Sequence, residues 1–344
     1  MNIIVSATMN QNDSSRFLID YEGPDLSGKS GAAKRINAVL TRAIPELGSL
    51  TGISIDFMET REPGGSWGAD IMRTFIKERW LLAAMAGISP SEEMTAELFT
   101  LARKQLYEDR ILPFISSEGN HVINSDRTWM SMLALQGDFN DGRLGVPLET
   151  LMEMADSATK GIHPDMVILR RFEHATFNAD VSFRQLFIML ESREIMPKDI
   201  GPLADLRRDQ NRFDVLAKMF DGKIEFAPVN AALEPIASTI QDLELIASRL
   251  VAKMPEYDLG RVREVFRETL LSLDSEGLFD EIRAAIQRQD HLREVLSEMG
   301  MSAYEVMESF KVTRDEGQIQ DIKELYLLGE GRADEGNLPR GARR

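Results

Sequence analysis

Short apolar runs alternate with longer amphipathic stretches between residues 16 and 254. The apolar runs have the length of buried strands and lie at residues 16–21, 52–58, 120–126, 164–170 and 222–229. The longer stretches repeat apolar residues at helical spacing and lie at residues 30–44, 68–86, 91–117, 129–158, 180–194 and 203–220. Strands that alternate with helices predict an α/β fold with a parallel five-stranded sheet covered by helices on both faces.

The pattern changes near the C-terminus. Residues 234–254 form one more helical stretch, and residues 257–326 are amphipathic at helical spacing without a strand signal. We therefore expect a flexible lead-in, an α/β domain, a C-terminal α-helical appendage and a disordered tail rich in glycine and charge. Their predicted bounds are 1–15, 16–254, 255–327 and 328–344. The appendage would cap a core face, mediate self-association or recruit a partner.

The turn after the first predicted strand has the spacing of a phosphate-binding loop. Gly23 is followed, after four residues, by Gly28, Lys29 and Ser30, which is the Walker A pattern. In such loops the backbone N–H groups turn toward phosphate oxygens, the lysine reaches the β- and γ-phosphates, and the serine hydroxyl ligates Mg²⁺. The strand before and the helix after argue against a chance match. The predicted nucleotide-binding residues are Gly23, Ser27, Gly28, Lys29, Ser30 and Gly31.

Other segments place polar residues where α/β enzymes bind ligands. Arg61 precedes a Pro-Gly-Gly turn after the second strand, and Asp126 and Arg127 end the third, at the sheet edge where such folds bind ligands. Phe99 and Arg103 share a helix face, where a ring and a guanidinium can hold a base. Each feature also has a plain structural explanation, such as a surface arginine at a turn or a phenylalanine in the core.

Composition excludes several classes of protein. The absence of cysteine excludes a disulfide framework, and four histidines without paired spacing argue against a zinc enzyme. No apolar run approaches the roughly 20 residues of a membrane span, and the N-terminus is a poor signal peptide, so we expect a cytoplasmic protein without a membrane partner. The net charge of −16 weighs against a protein whose main task is to grip duplex DNA.

Taken together, these segments resemble the thymidylate kinase family in order and spacing. "EGPDLSGKS" is similar to the phosphate loop of that family, and "TREPGG" to one of the most specific strings of its bacterial members. Phe99 and Arg103 match its base-binding pair, and "DR" with Ser131 and "QG" at 136–137 matches its acceptor motif. "PDMVIL" and "RRDQNRFDVLA" resemble the strand and helix that follow, so that the resemblance covers residues 16–252.

The resemblance implies a homodimeric P-loop kinase that uses ATP and Mg²⁺ to phosphorylate a pyrimidine deoxynucleotide. Carried over by matching position, Lys29 and Ser30 serve ATP and the metal, Asp126 lies near the metal, and Asp25 contacts the sugar 3′-hydroxyl. The other implied acceptor contacts are Arg61 and Arg127 to the phosphate, Phe99, Arg103 and Gln136 to the base, and Ser131 beside them.

The chain departs from the family pattern in the nucleoside pocket. Thr128 stands where the family has Tyr or His, Leu135 where it has Tyr, and Met132 where it has a polar residue. These side chains are smaller or less polar, so we expect an altered pocket.

The predicted lid, at about 193–212, also departs from the family. Leu26 occupies the place in the phosphate loop that some members give to an arginine, and the segment that supplies a lid arginine in bacterial members reads "IMPKDIG" here. Lys198 is the catalytic candidate for that role. Further cations nearby in sequence are Arg193, Arg207, Arg208 and Arg212.

Three functions are compatible with these features. The first is a kinase for a thymidylate-like or modified pyrimidine deoxynucleotide. The second is a kinase of a viral type, as in a bacteriophage, that phosphorylates a 5-hydroxymethyl pyrimidine already in DNA, against which the net charge of −16 counts. The third is a non-catalytic nucleotide-binding module. The intact phosphate loop and the order of the motifs favour the first.

Overall fold

The computed structural model describes residues 16–86, 91–191, 202–232, 234–313 and 318–327. Five strands form one sheet: β1 (Arg16–Glu22), β2 (Ile55–Arg61), β3 (Asn120–Asp126), β4 (Met166–Arg171) and β5 (Glu225–Asn230). All pairings are parallel, in the order β2-β3-β1-β4-β5, so the predicted five-stranded parallel sheet is confirmed. The predicted lead-in, the segment around Lys198 and the predicted tail lie outside the described residues.

Helices connect the strands and continue after the last one. Before β4 they are α1 (Lys29–Thr51), α2 (Trp67–Met85), α3 (Glu92–Leu106), α4 (Leu112–Ile115), α5 (Trp129–Gln136) and α6 (Leu148–Thr159). After it they are α7 (Phe177–Glu191), α8 (Leu203–Met219), α9 (Pro235–Lys253), α10 (Leu259–Ser275), α11 (Asp280–Glu298) and α12 (Ala303–Thr313). Residues 107–111 form a π-helical turn between α3 and α4, and residues 318–327 are helical.

Two glycines explain where the predicted boundaries were wrong. The second strand was predicted at 52–58 but begins at Ile55, because α1 extends to Thr51 and Gly52 ends it in a left-handed conformation with φ 70°. The single helix predicted at 129–158 is two helices that are interrupted at Gly137. A Cβ on Gly137 would lie 2.4 Å from the carbonyl oxygen of Leu133, so the chain packs there more closely than a side chain allows.

Strand β1 lies at the centre of the sheet and is buried on both faces. Phe17, Leu18 and Ile19 are buried in the core, as expected for a parallel sheet covered on both sides. Each such side chain contributes about 1.5–3 kcal/mol to folding through the hydrophobic effect. Asp20 and Glu22 lie in the same strand and are also fully buried, which is costly unless their oxygens have partners.

The chain forms two compact units. The first contains the described residues from 16 to 171 together with Arg208–Glu276, and so includes the whole sheet. Within it α10 packs against α1, and Arg42 binds both carboxylate oxygens of Glu276. These units divide the chain at other places than the predicted domains, whose bounds at 16–254 and 255–327 stay a prediction.

The second unit contains Phe172–Arg207 and the described residues after 276. Its helices α7, α11 and α12 and the helical residues 318–327 share one apolar core, with members such as Leu186, Leu292, Val306 and Ile322. A C-terminal helical region is therefore present, as predicted. Within the described ranges no helix is both long and apolar enough to cross a membrane.

Candidate active site

The predicted phosphate loop lies at the carboxyl end of β1. Gly23, Leu26 and Gly28 have φ values of 141°, 67° and 76°, and α1 begins at the next residue, Lys29. A Cβ on Gly23 would lie 2.1 Å from the carbonyl oxygen of Arg170, so only glycine fits between the loop and β4. The tight turn at the positive end of a 23-residue helix makes a site suited to phosphate.

Lys29 is folded back onto this loop. Its Nζ donates to the carbonyl oxygen of Pro24 at 3.1 Å and lies 3.4 Å from Asp25 Oδ1. Burial lowers the pKa of Lys29 to about 8; the charge of Arg127 acts in the same direction and that of Asp25 opposes it. The buried Ser27 Oγ has no hydrogen-bond partner within the described chain. A desolvated cation and an unused hydroxyl in a glycine turn fit an anionic ligand.

Arg127 joins the loop to the acceptor side of the predicted site. Its backbone has a left-handed φ of 74°, and its N–H donates to the carbonyl oxygen of Tyr21 at 3.2 Å. Its guanidinium donates from Nη2 to Asp25 Oδ1 at 2.9 Å and from Nη1 to Ser131 Oγ at 3.0 Å. The structure therefore brings Lys29, Asp25, Arg127 and Ser131, all predicted from sequence, into one hydrogen-bonded group.

Two further arginines lie beside Gly64. Arg61 ends β2, and its Nη2 donates to Asp70 Oδ1 at 3.1 Å. Arg73 of α2 was not predicted. Burial lowers its pKa, and the charges of Arg61 and Arg127 act in the same direction, while those of Asp70 and Asp126 oppose them. Like charges gathered in this way are stabilised by an anion such as a phosphate group.

Asp126, the predicted metal-organising residue, is paired in register with Arg61 at the end of β3. Its Oδ1 atom is buried and accepts no hydrogen bond from the described residues. Nowhere in the described ranges do three or more His, Asp or Glu side chains converge on one metal position. Mg²⁺ needs no such cage, because it is usually held by one or two protein oxygens with waters and substrate phosphates. Asp126 together with the exposed Ser30 fits that donor set.

The predicted base-binding residues lie on α3 and α5, which pack against each other. Arg103 is 3% exposed, and its Nε donates to Glu62 Oε2 at 2.5 Å. Phe99 is half-buried against the apolar cluster that includes Trp129. Gln136 is 5% exposed, and its buried Oε1 accepts no hydrogen bond from the described residues. An unused buried acceptor of this kind fits a ligand that donates a hydrogen bond.

The sequence is similar to those of known thymidylate kinases. Thymidylate kinase from Lactobacillus acidophilus is 35% identical over 240 residues, which cover 70% of this chain and 94% of that protein. The chain belongs to the thymidylate kinase family. It is a nucleotide-binding kinase.

Other comparisons concern more distant proteins. Thymidylate kinase from Chlorobium limicola is 27% identical over 240 residues, which cover 70% of this chain and 95% of the relative. The crystal structure of thymidylate kinase from Ehrlichia chaffeensis aligns with a TM-score of 0.46 and 16% identity over 67% of this chain and 98% of that chain. No protein-family model matches the sequence.

This thymidylate kinase family member uses two of its divergent residues in contacts within the protein. Thr128 begins α5 as its N-cap, is 1% exposed, and donates from Oγ1 to Asp20 Oδ2 at 2.6 Å. Met132 Sδ lies 3.5 Å from Arg103 Nη1. Leu135 is half-buried. Thr128 and Met132 therefore contact the groups that hold α5 and Arg103 in place.

The predicted lid is described only in part. Lys198 and Arg193 lie outside the described residues. Arg212 is paired with groups outside the predicted lid. Its guanidinium donates to both carboxylate oxygens of Asp141 at 2.6 and 2.7 Å and to the carbonyl oxygen of Ala134 at 3.1 Å. It therefore fastens α8 to the loop between α5 and α6.

Two buried carboxylates, Glu22 and Glu62, have partners among the predicted site residues and were not predicted themselves. Glu22 Oε1 accepts the backbone N–H groups of Thr128 and Ser131 at 2.9 and 3.0 Å. Glu62 is the buried partner of Arg103, and burial raises its pKa while the charge of Arg103 opposes the rise. The signal for Glu22 was a second acidic residue, after Asp20, in a largely apolar strand. Glu62 had only its place within "TREPGG" to mark it.

Proposed function

We propose that the chain transfers the γ-phosphate of ATP to the 5′-phosphate of a thymidylate-like or modified pyrimidine deoxynucleotide. One observation carries the proposal: Asp25 Oδ1 lies 3.4 Å from Lys29 Nζ and 2.9 Å from Arg127 Nη2. The cation of the phosphate loop and the cation predicted to hold the acceptor thus meet at one carboxylate. Phosphoryl transfer requires this proximity, because positioning and positive charge supply most of its catalysis.

At the donor end, the N–H groups of the loop would hold the β- and γ-phosphates, and Lys29 would exchange its contact with the carbonyl oxygen of Pro24 for a phosphate oxygen. Ser30 and Asp126 would hold Mg²⁺, which when bound neutralises charge on the phosphates. The buried Ser27 hydroxyl would provide one more donor to a phosphate oxygen.

At the acceptor end, Arg127, Arg61 and Arg73 would hold the monophosphate, which compensates their mutual repulsion. Asp25 would then be released from two cations and would accept a hydrogen bond from the sugar 3′-hydroxyl. Gln136 Oε1 would accept a hydrogen bond from the N–H of a pyrimidine ring, with Phe99 and Arg103 beside the base. The names of the relatives support the pyrimidine class of substrate.

The proposal predicts which acceptor gains label from γ-labelled ATP. The panel is dTMP, 5-hydroxymethyl-dUMP, dUMP and DNA that contains hydroxymethyluracil. We expect label on one or more free nucleotides, measured by thin-layer chromatography, and none on DNA. Label found only in DNA would overturn the proposal in favour of a DNA-modifying kinase. Absence of transfer to every acceptor with both Mg²⁺ and Mn²⁺ would indicate a non-catalytic binding module.

We also propose that the protein is a homodimer that associates through α2. Trp67, Ile71 and Phe75 are spaced four residues apart, so they share one helix face, and they are 84%, 48% and 51% exposed. Leu101 of α3, which packs against α2, is 53% exposed. Neighbouring exposed apolar side chains mark an association surface.

A charge placed in this surface should separate the dimer. We expect the mass of two chains for the native protein and of one chain for Phe75→Glu, measured by light scattering after gel filtration at micromolar concentration, because an unpaired charge is costly to bury. The matched control is Leu144→Glu, which alters a leucine that is 92% exposed outside this surface and should leave the mass unchanged. A monomeric native protein would contradict the proposal.

A further inference from the structure

A continuous hydrogen-bonded chain runs from the buried Glu22 to Lys29. The Ser131 hydroxyl donates to Glu22 Oε2 at 2.6 Å, and Arg127 Nη1 donates to Ser131 Oγ at 3.0 Å. Arg127 Nη2 donates to Asp25 Oδ1 at 2.9 Å, and Lys29 Nζ lies 3.4 Å from the same oxygen. Glu22 is thus two hydrogen bonds away from the Arg127 guanidinium, although it is completely buried.

The two carboxylate oxygens of Glu22 have separate partners. Oε1 accepts the backbone N–H groups of Thr128 and Ser131, which are at the start of α5. Oε2 accepts the Ser131 hydroxyl. The first oxygen therefore holds the helix, and the second holds a side chain that contacts Arg127.

The direction of the Ser131 hydrogen bond follows from this arrangement. A hydroxyl has one proton and two lone pairs, and Glu22 Oε2 can only accept while it is ionised. The Ser131 proton therefore points toward Glu22, and the lone pairs remain available to Arg127 Nη1. Arg127 in turn favours the ionised form of Glu22, since its positive charge opposes the rise that burial causes in the pKa of Glu22.

We propose that Glu22 is a positioning residue for Arg127. It acts through the Ser131 hydroxyl and fixes the guanidinium in the place where it meets the acceptor phosphate. A free arginine side chain loses conformational entropy when it is immobilised, so a guanidinium already fixed by two partners binds at lower cost. The inference rests on the proposed function and adds Glu22, which has no place in that account, to the acceptor site.

The structure offers a variant that separates the two tasks of Glu22. In Glu22→Gln the carbonyl oxygen can replace Oε1 and keep both contacts with the α5 backbone. The amide nitrogen then replaces Oε2 and donates where the carboxylate accepted, which reverses the bond to Ser131 and removes the charge. Ser131→Ala removes the hydroxyl that connects Glu22 to Arg127 and keeps the hydrogen bonds of Glu22 Oε1 with the α5 backbone.

Asp20 provides the matched control. It lies on the same strand, is equally buried, and accepts the Thr128 hydroxyl at 2.6 Å, but it has no place in the chain to Arg127. Burial raises the pKa of Asp20 well above its usual range, and the nearby charge of Glu22 raises it further. Asp20→Asn tests the effect of altering a buried acid in β1 while the hydrogen bonds from Glu22 through Ser131 to Arg127 stay in place.

The experiment measures the Kd by calorimetry and the KM by steady-state kinetics, separately for dTMP and for ATP. We expect Glu22→Gln and Ser131→Ala each to raise the Kd and KM for dTMP by about tenfold, the factor that corresponds to 1.4 kcal/mol, and to leave those for ATP within about twofold. The double variant should bind dTMP no more weakly than the weaker-binding single variant, because both substitutions break the same hydrogen-bonded chain. Asp20→Asn should bind dTMP like the native protein.

The outcomes distinguish the inference from the function on which it rests. If the native protein neither binds nor phosphorylates any free nucleotide of the panel, the proposed function is overturned together with the inference. If the native protein is active and both single variants bind dTMP normally, only the inference is overturned. Glu22 would be merely structural if Glu22→Gln weakened the binding of dTMP and ATP equally. The same would follow if Asp20→Asn weakened the binding of dTMP as much as Glu22→Gln does.

Discussion

Lys29→Ala is expected to reduce phosphoryl transfer by about 10²- to 10³-fold, because it removes a preorganised cation from the site where charge moves between phosphates. The fold should survive. Lys29 is 4% exposed, and its lowered pKa shows that burial disfavours the charged form, so its loss relieves a desolvation cost. Turnover of ATP and the thermal midpoint are the two measurements. Lys34→Ala, which alters an exposed lysine on the same helix, is the control and should retain full activity.

The same lysine predicts how ATP affinity depends on pH. Its pKa in the free protein is about 8, so the cation predominates below that pH and is lost as the pH rises. ATP binding favours the cation and should therefore weaken above pH 8, by up to about tenfold per unit, with uptake of a proton. Calorimetry in buffers of different ionisation enthalpy measures that uptake. Native turnover in Lys29→Ala, or ATP affinity that is constant from pH 7 to 9.5, would contradict a role for Lys29 at the phosphates.

The fold was accessible from the sequence because its signals are local. β1 and β3 were found almost to the residue, since each has adjacent apolar residues in a short segment that ends at an acidic residue. The break in the helix predicted at 129–158 was missed for a different reason. Its cause is the approach of the chain at Gly137 to Val146, whose backbone N–H donates to the carbonyl oxygen of Gln136. Such a contact has no periodicity to reveal it.

The residues of the site were predicted either from a segment that carries its own chemistry or from the resemblance to the family. The phosphate loop is such a segment, because Lys29 and Pro24 are five residues apart. Glu62 and Arg103 are 41 residues apart, and Glu22 and Ser131 are 109 apart, so their pairing depends on the sheet that brings them together. Arg73 was missed for the same reason, because its interaction with Arg61 and Arg127 depends on the fold. Long-range partners of this kind need a structure.

Arg103→Met is expected to lower the free energy of unfolding by about 3–5 kcal/mol, which is the cost of leaving one member of a buried ion pair without its partner. Arg103 and Glu62 are 3% and 4% exposed and are joined by a hydrogen bond of 2.5 Å. Burial raises the pKa of Glu62, and without Arg103 nothing in that pair opposes the rise. Denaturant unfolding measures the change. The exposed pair Arg42–Glu276 is the control, and Arg42→Met should cost far less because water screens it.

The double variant Arg103→Met with Glu62→Gln decides whether Arg103 serves the fold or the substrate. Neutralising both members should recover most of the lost stability, because no uncompensated charge stays buried. Activity behaves differently in the two cases. If Arg103 holds the base, the stable double variant should still show a raised KM for the pyrimidine nucleotide and an unchanged KM for ATP. A double variant that regains both stability and native KM values would reduce Arg103 to a structural residue and leave recognition of the base to Phe99 and Gln136.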